Sequence, residues 1–202
     1  EAESETMRNA VRDAYNAGIL VVASMGNDGL STPLYPAAFD NVLAVTATTL
    51  DDNWATYANY GSHTDVAAPG GTMAFVHDSN GIFSTLPTYD VYLTTEEGYS
   101  TYYDTMFGTS QAAPFISGMA ALIWSMDDNL SPDAVSSVIT STAVDLGTPG
   151  WNQYSGYGLA DAKAALDSIN QPESAPVLYT IDNADQDGFY DVHWSHVSKA
   201  TS

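Results

Sequence analysis

Residues 19–48 read ILVVASMGNDGLSTPLYPAAFDNVLAVTAT. The stretch opens on ILVVAS (19–24) and closes on NVLAVTAT (41–48), two continuous apolar runs rich in β-branched residues. Runs of this kind are expected of strands covered on both faces, because a strand with one wet face alternates instead. Just upstream, ETMRNAVRDAYNA (5–17) spaces Met7, Ala10, Val11 and Ala14 at helical intervals, and Gly18 follows as a stop signal. Helix, buried strand, loop, buried strand is the order of an α/β layered fold with a parallel sheet.

Further along, residues 71–103 are rich in Gly, Thr, Tyr and Asp and read mainly as surface loop, with a strand expected near 81–86. An uncharged, largely apolar helix follows at about 110–126. SPDAVSSVITSTA (131–143) starts with a Ser cap and a Pro at the first helical position, and sets Ala134, Val135, Val138 and Ile139 on one face. GLADAKAALDSI (158–169) reads as a last short helix. NQPESAP (170–176) has the composition of a linker. Beyond it the period changes to two, with Tyr190, Val192 and Trp194 alternating against Asp191, His193 and Ser195, as in a half-buried antiparallel strand. A second, all-β domain is therefore expected over 177–202. The opening Glu-Ala-Glu-Ser and the end within a repeating pattern are read as those of a fragment.

Composition excludes several functions. The chain of 202 residues carries 25 acidic groups against four basic ones (Arg8, Arg12, Lys163 and Lys199), a formal charge of −21. It cannot neutralise phosphates, so nucleic acid and anionic membranes are excluded as partners. Such a charge favours solubility and tolerance of salt. With no cysteine, neither disulfides nor thiolate metal sites hold the fold. The longest uncharged run, Thr105 to Met126, is broken by Pro114, Ser117 and Gly118 and is too short for a bilayer span.

FGTSQAAPFISGMAALIW (107–124) sets a lone hydroxyl, Ser110, at the mouth of the most apolar segment. Ser and Thr cap helices, so capping alone would account for it. Gly108 allows a sharp bend before the hydroxyl, Ala112 and Ala113 keep the first turn narrow, and Pro114 is expected near the end of that turn. A helix start also favours a developing anion. On these residues GTSQAAPFISGMAAL resembles the nucleophile motif of the subtilisin-like serine proteases, with Gln111 where Met is usual and Phe115 where His is usual. Four more blocks follow the family's order: VVASMGNDG (21–29), YPAAFDNVLAVTAT (35–48), DVAAPG (65–70) and SGYGLADAKAAL (155–166).

The resemblance implies a subtilisin-like three-layer α/β fold, present in part over residues 1–169, and a secreted endopeptidase acting on protein or peptide substrates. It makes Ser110 the nucleophile, capping its helix, and Asn27 the oxyanion donor. Ser24, Met25 and Gly26 become a wall of the substrate pocket, and Tyr35–Pro36 takes the place where the family often has a cis bond. A turn is the plainer reading of GNDG (26–29). No cofactor is implied as required; calcium is admitted as a stabilising ion, with Ala37, Phe39, Val42 and Asp65 in the places of a weak cation site. The spacing from DVAAPG to Ser110 implies an inserted loop. Residues 175–202 resemble the first two strands of a fibronectin type III domain, with Trp194 as its core residue.

A serine needs a base, and the base an acid to orient it. In this family both precede the serine, and no Asp-Ser/Thr-Gly or Gly-His-Gly-Thr-His stands here. His63, His77, His193 and His196 are taken as surface or packing residues, and the triad Asp and His are expected upstream of Glu1. This chain alone is then expected to be inactive. Two rivals stand beside the protease: a non-catalytic binding module of the same fold, and a relative of the serine-carboxyl peptidases, which place an Asp where Asn27 stands. NADQDG (183–188) opens like a calcium loop, but Trp194 replaces the required Glu at the twelfth position. It is read as a loop between strands, and His193 with His196, three apart on a strand, as no metal pair.

Overall fold

The computed structural model describes residues 3–72 and 75–170 together with the backbone of two short strands, 178–182 and 191–194. A helix α1 (Glu5–Asn16) leads into strand β1 (Val21–Ser24), and β2 (Val42–Thr48) and β3 (Val66–Pro69) complete a parallel sheet in the order β1-β2-β3. The seven residues of β2 are all buried, as the unbroken apolar run predicts. Period-two geometry divides them between two cores. Leu43, Val45 and Ala47 join one core, and Val42 and Ala44 the other, with Val11 of α1, Met25 and Phe39. The sheet is thus the middle of three layers.

The other cover is α3 (Thr109–Met126), which crosses all three strands and packs on α4 (Pro132–Ser141) and α5 (Ala162–Asn170). Its buried residues Ala112, Ile116, Met119, Ala120 and Ile123 recur at helical spacing along the sheet. Each large side chain buried this way contributes about 1.5–3 kcal/mol. The far side of α3 is open, with Phe115 48% and Leu122 50% exposed. The Ser131 cap and Pro132 start of α4 are as expected, Ser131 Oγ accepting from the Ala134 N–H at 3.2 Å.

Several sequence expectations are corrected. The cap of α3 is Gly108, so Ser110 is the second residue of the helix and not its cap. Pro114 then falls sixth, past the free first turn, and the Ser110 carbonyl loses the donor that residue 114 would supply. The last helix begins at Ala162 rather than Gly158. Leu159 instead bridges Ala67 and Val144, while a Cβ on Gly158 would sit 2.2 Å from the Val144 carbonyl oxygen. Asp161 starts the helix, its carboxylate accepting from the Ala164 N–H at 2.9 Å.

Segment 71–103 carries more order than its composition suggests. The expected strand is β4 (Ile82–Thr85), which pairs antiparallel with β5 (Tyr103–Met106), and a one-turn helix α2 (Tyr92–Thr95) lies between them. Asp104, 6% exposed, ties the segment together. Its carboxylate accepts from the N–H groups of Ser100 (2.6 Å) and Thr105 (2.7 Å) and lies 2.7 Å from His77 Nδ1. At the far end β6 (Leu178–Asp182) pairs antiparallel with β7 (Asp191–Trp194), which fits the period-two pattern. The linker beyond Asn170, the 183–188 loop, Tyr190, His196 and Lys199 lie outside the described residues.

Burial pushes the Asp104 carboxyl up, but its donors outweigh burial and hold it down at about 2. Its contribution to stability is therefore complete above the ordinary carboxyl range, near pH 4, and is lost as pH falls through about 2. In acid unfolding followed by circular dichroism, Asp104→Asn is expected to flatten the loss of stability between pH 4 and pH 2. A variant that keeps the parent's acid limb would contradict this assignment.

Candidate active site

β1 runs without a break into the turn that presents Asn27. The Met25 N–H continues the ladder to the Val45 carbonyl at 3.1 Å, and Gly26, at φ 99°, turns the chain. A side chain cannot replace that glycine, since a Cβ there would lie 2.5 Å from Leu34 Cδ1 and 2.6 Å from Asn59 Nδ2. The second component, the entry to α3, arrives from β5. Gly108, at φ 141°, donates its N–H to the Gly70 carbonyl at 3.0 Å, which anchors the helix start to the end of β3.

Thr109 joins the two components across 82 residues of sequence. The Asn27 Oδ1 accepts from both the Thr109 N–H (2.8 Å) and the Thr109 hydroxyl (3.0 Å). The hydroxyl in turn accepts the Gly26 N–H at 3.1 Å. An oxygen facing two donors fixes which way the amide points. Its Nδ2 is left with no hydrogen-bond partner among the described residues, and it lies 3.1 Å from where a Gly108 Cβ would stand. Glycine at 108 therefore leaves the space into which the amide donates.

Ser110 comes next in the chain and is exposed, as is Asn27. Neither its hydroxyl nor its N–H has a hydrogen-bond partner among the described residues, and the N–H is one of the free donors of a helix start. A cleft of about 430 Å³ adjoins it, with Gln111, Pro114 and Phe115 on one side and the β4–β5 hairpin on the other. Tyr57 closes the back of the helix entry. It packs edge-on against Phe107 and donates to the Gly71 carbonyl at 2.8 Å, and burial pushes its hydroxyl up to about 12.

Of the other expected site residues, Ser24 and Gly26 are half-buried, while the Met25 side chain is fully buried in the second core. Position 25 can therefore face a ligand only with its backbone. Asn59, 1% exposed, is a residue that sequence reasoning missed. Its Oδ1 accepts from Asp28 N–H (2.9 Å) and Leu30 N–H (3.1 Å), and its own N–H donates to the Gly26 carbonyl (2.9 Å). One buried amide thus holds both sides of the turn around Asn27, and nothing in ATYANYG announces it. His77 makes no hydrogen bond to Ser110 and does not line its cleft. Burial lowers the pKa of His63, whose buried Nε2 has no hydrogen-bond partner among the described residues.

Thr109→Val removes the hydroxyl at nearly constant shape and strands the Gly26 N–H. Urea unfolding is expected to show a loss of about 1–3 kcal/mol. An unchanged midpoint would show that the Thr109 bridge is incidental.

Comparison with known proteins identifies the family. The model of the Subtilase family, peptidase S8, matches residues 1–158. The minor extracellular protease Epr of Bacillus subtilis is 37% identical over 83% of this chain and 23% of its own length. Subtilisin DY of Bacillus licheniformis is 36% identical over 80% of this chain and 52% of its own. A solved protease structure from Pseudoalteromonas arctica superposes with a TM-score of 0.72 at 35% identity, covering 83% of this chain and 48% of that one. The chain thus spans between about a quarter and about half of the length of these relatives. On the family match over residues 1–158, together with relatives more than 30% identical over four-fifths of this chain, the chain belongs to the subtilase family.

Proposed function

We propose that this chain is part of a serine endopeptidase in which Ser110 attacks the peptide carbonyl. The observation that carries this reading is the Asn27 amide, whose oxygen is held by Thr109, the residue before Ser110, so that its nitrogen is left free to donate. In the reaction, Ser110 Oγ bonds to the carbonyl carbon as an imidazole takes its proton. The carbonyl oxygen becomes an anion, received by Asn27 Nδ2 and the Ser110 N–H within the positive field of the α3 N-terminus. The imidazole then protonates the leaving amine, and water releases the acyl group from Ser110 by the reverse sequence.

The described residues bring no histidine to Ser110, so the imidazole and its acid are assigned to upstream polypeptide. Two open surfaces support that assignment. Among the described residues β1 is an edge strand of a parallel sheet, and α3 exposes Leu122 and Met126 away from the cleft. Buried parallel strands and apolar helix faces call for further cover. The substrate is a polypeptide, with Ser24, the Met25 backbone and Gly26 as one wall of its side-chain pocket. The name of the extracellular relative supports secretion. Among the described residues, no helix is long and apolar enough to cross a membrane.

No cofactor enters the reaction. Where calcium or sodium binds, the carbonyls of Ala37, Phe39 and Val42 and the Asp65 carboxylate would hold it, a hard oxygen set suited to such ions. Asp65 fits that role. Burial pushes its carboxyl up to about 6 although the Ala44 N–H donates to it at 2.7 Å, so a cation beside it would offset the cost of ionisation. The ion would serve stability alone. Residues 177–202, which include β6 and β7, are assigned to a fibronectin type III-like module by the resemblance of their sequence.

The test is to treat the full-length protein with a fluorophosphonate and map the adduct. Labelling at Ser110 is expected, with loss of labelling in Ser110→Ala. Asn27→Leu is expected to lower kcat about 10²–10³-fold, a magnitude known from oxyanion-hole variants of a subtilisin rather than derived from this geometry. An adduct elsewhere would overturn the assignment. No adduct at all would make the chain a binding module with a protease fold.

A further inference from the structure

A second groove, of about 730 Å³, lies on the other side of the Asn27 turn, and Gly29 belongs to its wall. Its base is a triangle of aromatic rings. Trp54 and Tyr154 have centroids 4.8 Å apart, Tyr60 and Tyr154 4.8 Å, and Trp54 and Tyr60 5.7 Å. The rim is preformed. Asn152 donates to the Leu146 carbonyl (3.0 Å) and to Ser155 Oγ (2.7 Å), while its Oδ1 accepts from the N–H groups of Tyr154 (3.0 Å) and Ser155 (3.1 Å). By contrast, the side chains of Asn53 and Gln153, both in the lining, make no hydrogen bond among the described residues. Asp52, also in the lining, is exposed, and no basic residue faces the groove.

These features define the occupant. Free amide oxygens and a carboxylate around an aromatic base, in a chain of charge −21, call for a cation. Among the described residues the basic side chains are taken up elsewhere, Arg8 by Glu3, Arg12 by Asp13 and Lys163 by Asp167. A cation held between two rings lies within about 6 Å of each centroid on opposite faces. Rings packed 4.8 Å apart leave no such space, so the cation must lie flat on the outer face of the cluster, where Tyr154 is 40% exposed. A planar guanidinium stacks in this way and reaches several acceptors at once, whereas a compact ammonium does neither as well.

We infer that the groove over Trp54, Tyr60 and Tyr154 binds an arginine-bearing segment of the protein substrate, away from the residues cleaved at Ser110. The identity of the segment as substrate rests on the protease reading, whereas the affinity for arginine does not. Arginine stacks on the ring cluster, Asp52 pairs with its charge, and Asn53 and Gln153 accept its N–H groups. Gly29 in the wall of the groove lies two residues beyond Asn27, which ties the groove to the same turn.

The test separates binding from catalysis. Titration calorimetry on the full-length protein carrying Ser110→Ala uses a blocked Gly-Gly-Arg-Gly-Gly peptide, its citrulline counterpart and its lysine counterpart. The arginine peptide is expected to bind about tenfold more tightly than the neutral citrulline peptide, with lysine between them and all affinity falling as salt rises. Tyr154→Ala and Asp52→Asn should each weaken arginine binding several-fold. Asp52 sits at φ 57°, a conformation Asn adopts readily, so the second variant preserves the fold. In the active protein, Asp52→Asn should raise KM for arginine-containing substrates while kcat on a short uncharged peptide is unchanged. Equal binding of arginine and citrulline, indifference to Asp52→Asn, or preference for a neutral oligosaccharide in the same cell would overturn the proposal. An inactive protein that still prefers arginine would leave the groove assigned and remove only the protease reading.

Discussion

The site depends on one carboxamide oxygen. Asn27 Oδ1 takes two donors from Thr109, and Thr109 takes one from Gly26, so the Gly26–Asn27 turn is locked to a single threonine 82 positions further along the chain. The consequence is chemical as well as structural. A free asparagine presents its oxygen or its nitrogen with similar ease; this one has its oxygen committed, and its nitrogen is left to donate. A neutral donor fixed in advance costs no reorganisation when charge develops in front of it. Thr109 thus decides the sign of the dipole that Asn27 offers.

The layers around the clasp make it rigid. β2 is buried on both faces and carries β1 and β3 at its sides, and the Asn27 turn leaves one flanking strand while Gly70, at the end of the other, holds the helix entry. Asn59 adds a second fixation from beneath, with 1% of its surface exposed. Side chains set on strand ends and supported by buried hydrogen bonds are held more closely than side chains on free loops. The hairpin of β4 and β5 is a different kind of element. It projects beyond the sheet and walls the cleft beside Ser110, held by Asp104 in place of an apolar core.

Much of this was legible in the sequence. The run at 41–48 announced a buried strand because both its faces are covered, and Ser131-Pro132 announced a helix start. The run at 19–24 announced a strand as well, but β1 stands at the edge of the described sheet and only Ala23 of it is buried, so the expectation of cover on both faces is not met. Strand β3 was less visible, since VAAP is four residues long and mostly alanine. β5 was hidden because YDTM alternates weakly and its order comes from the Asp104 network rather than from apolar burial. The start of α5 was misplaced because alanine-rich spacing cannot reveal that Gly158 lies against the Val144 backbone. At the candidate site, the motifs singled out Ser110 and Asn27, and the structure sets them on the helix entry and the turn that Thr109 joins. The role of Thr109 could not be read, because a hydroxyl next to a candidate nucleophile looks like any helix-start residue until its partner is seen.

The most direct measurement is a crystal structure of the full-length protein with a peptide boronic acid, which forms a tetrahedral adduct on a nucleophilic serine. The account predicts a bond from Ser110 Oγ to boron, with one boronate oxygen about 3 Å from both Asn27 Nδ2 and the Ser110 N–H, and Asn27 Oδ1 still on Thr109. An adduct whose oxygen points away from Asn27, or an Asn27 amide turned with its oxygen toward the boronate, would contradict it.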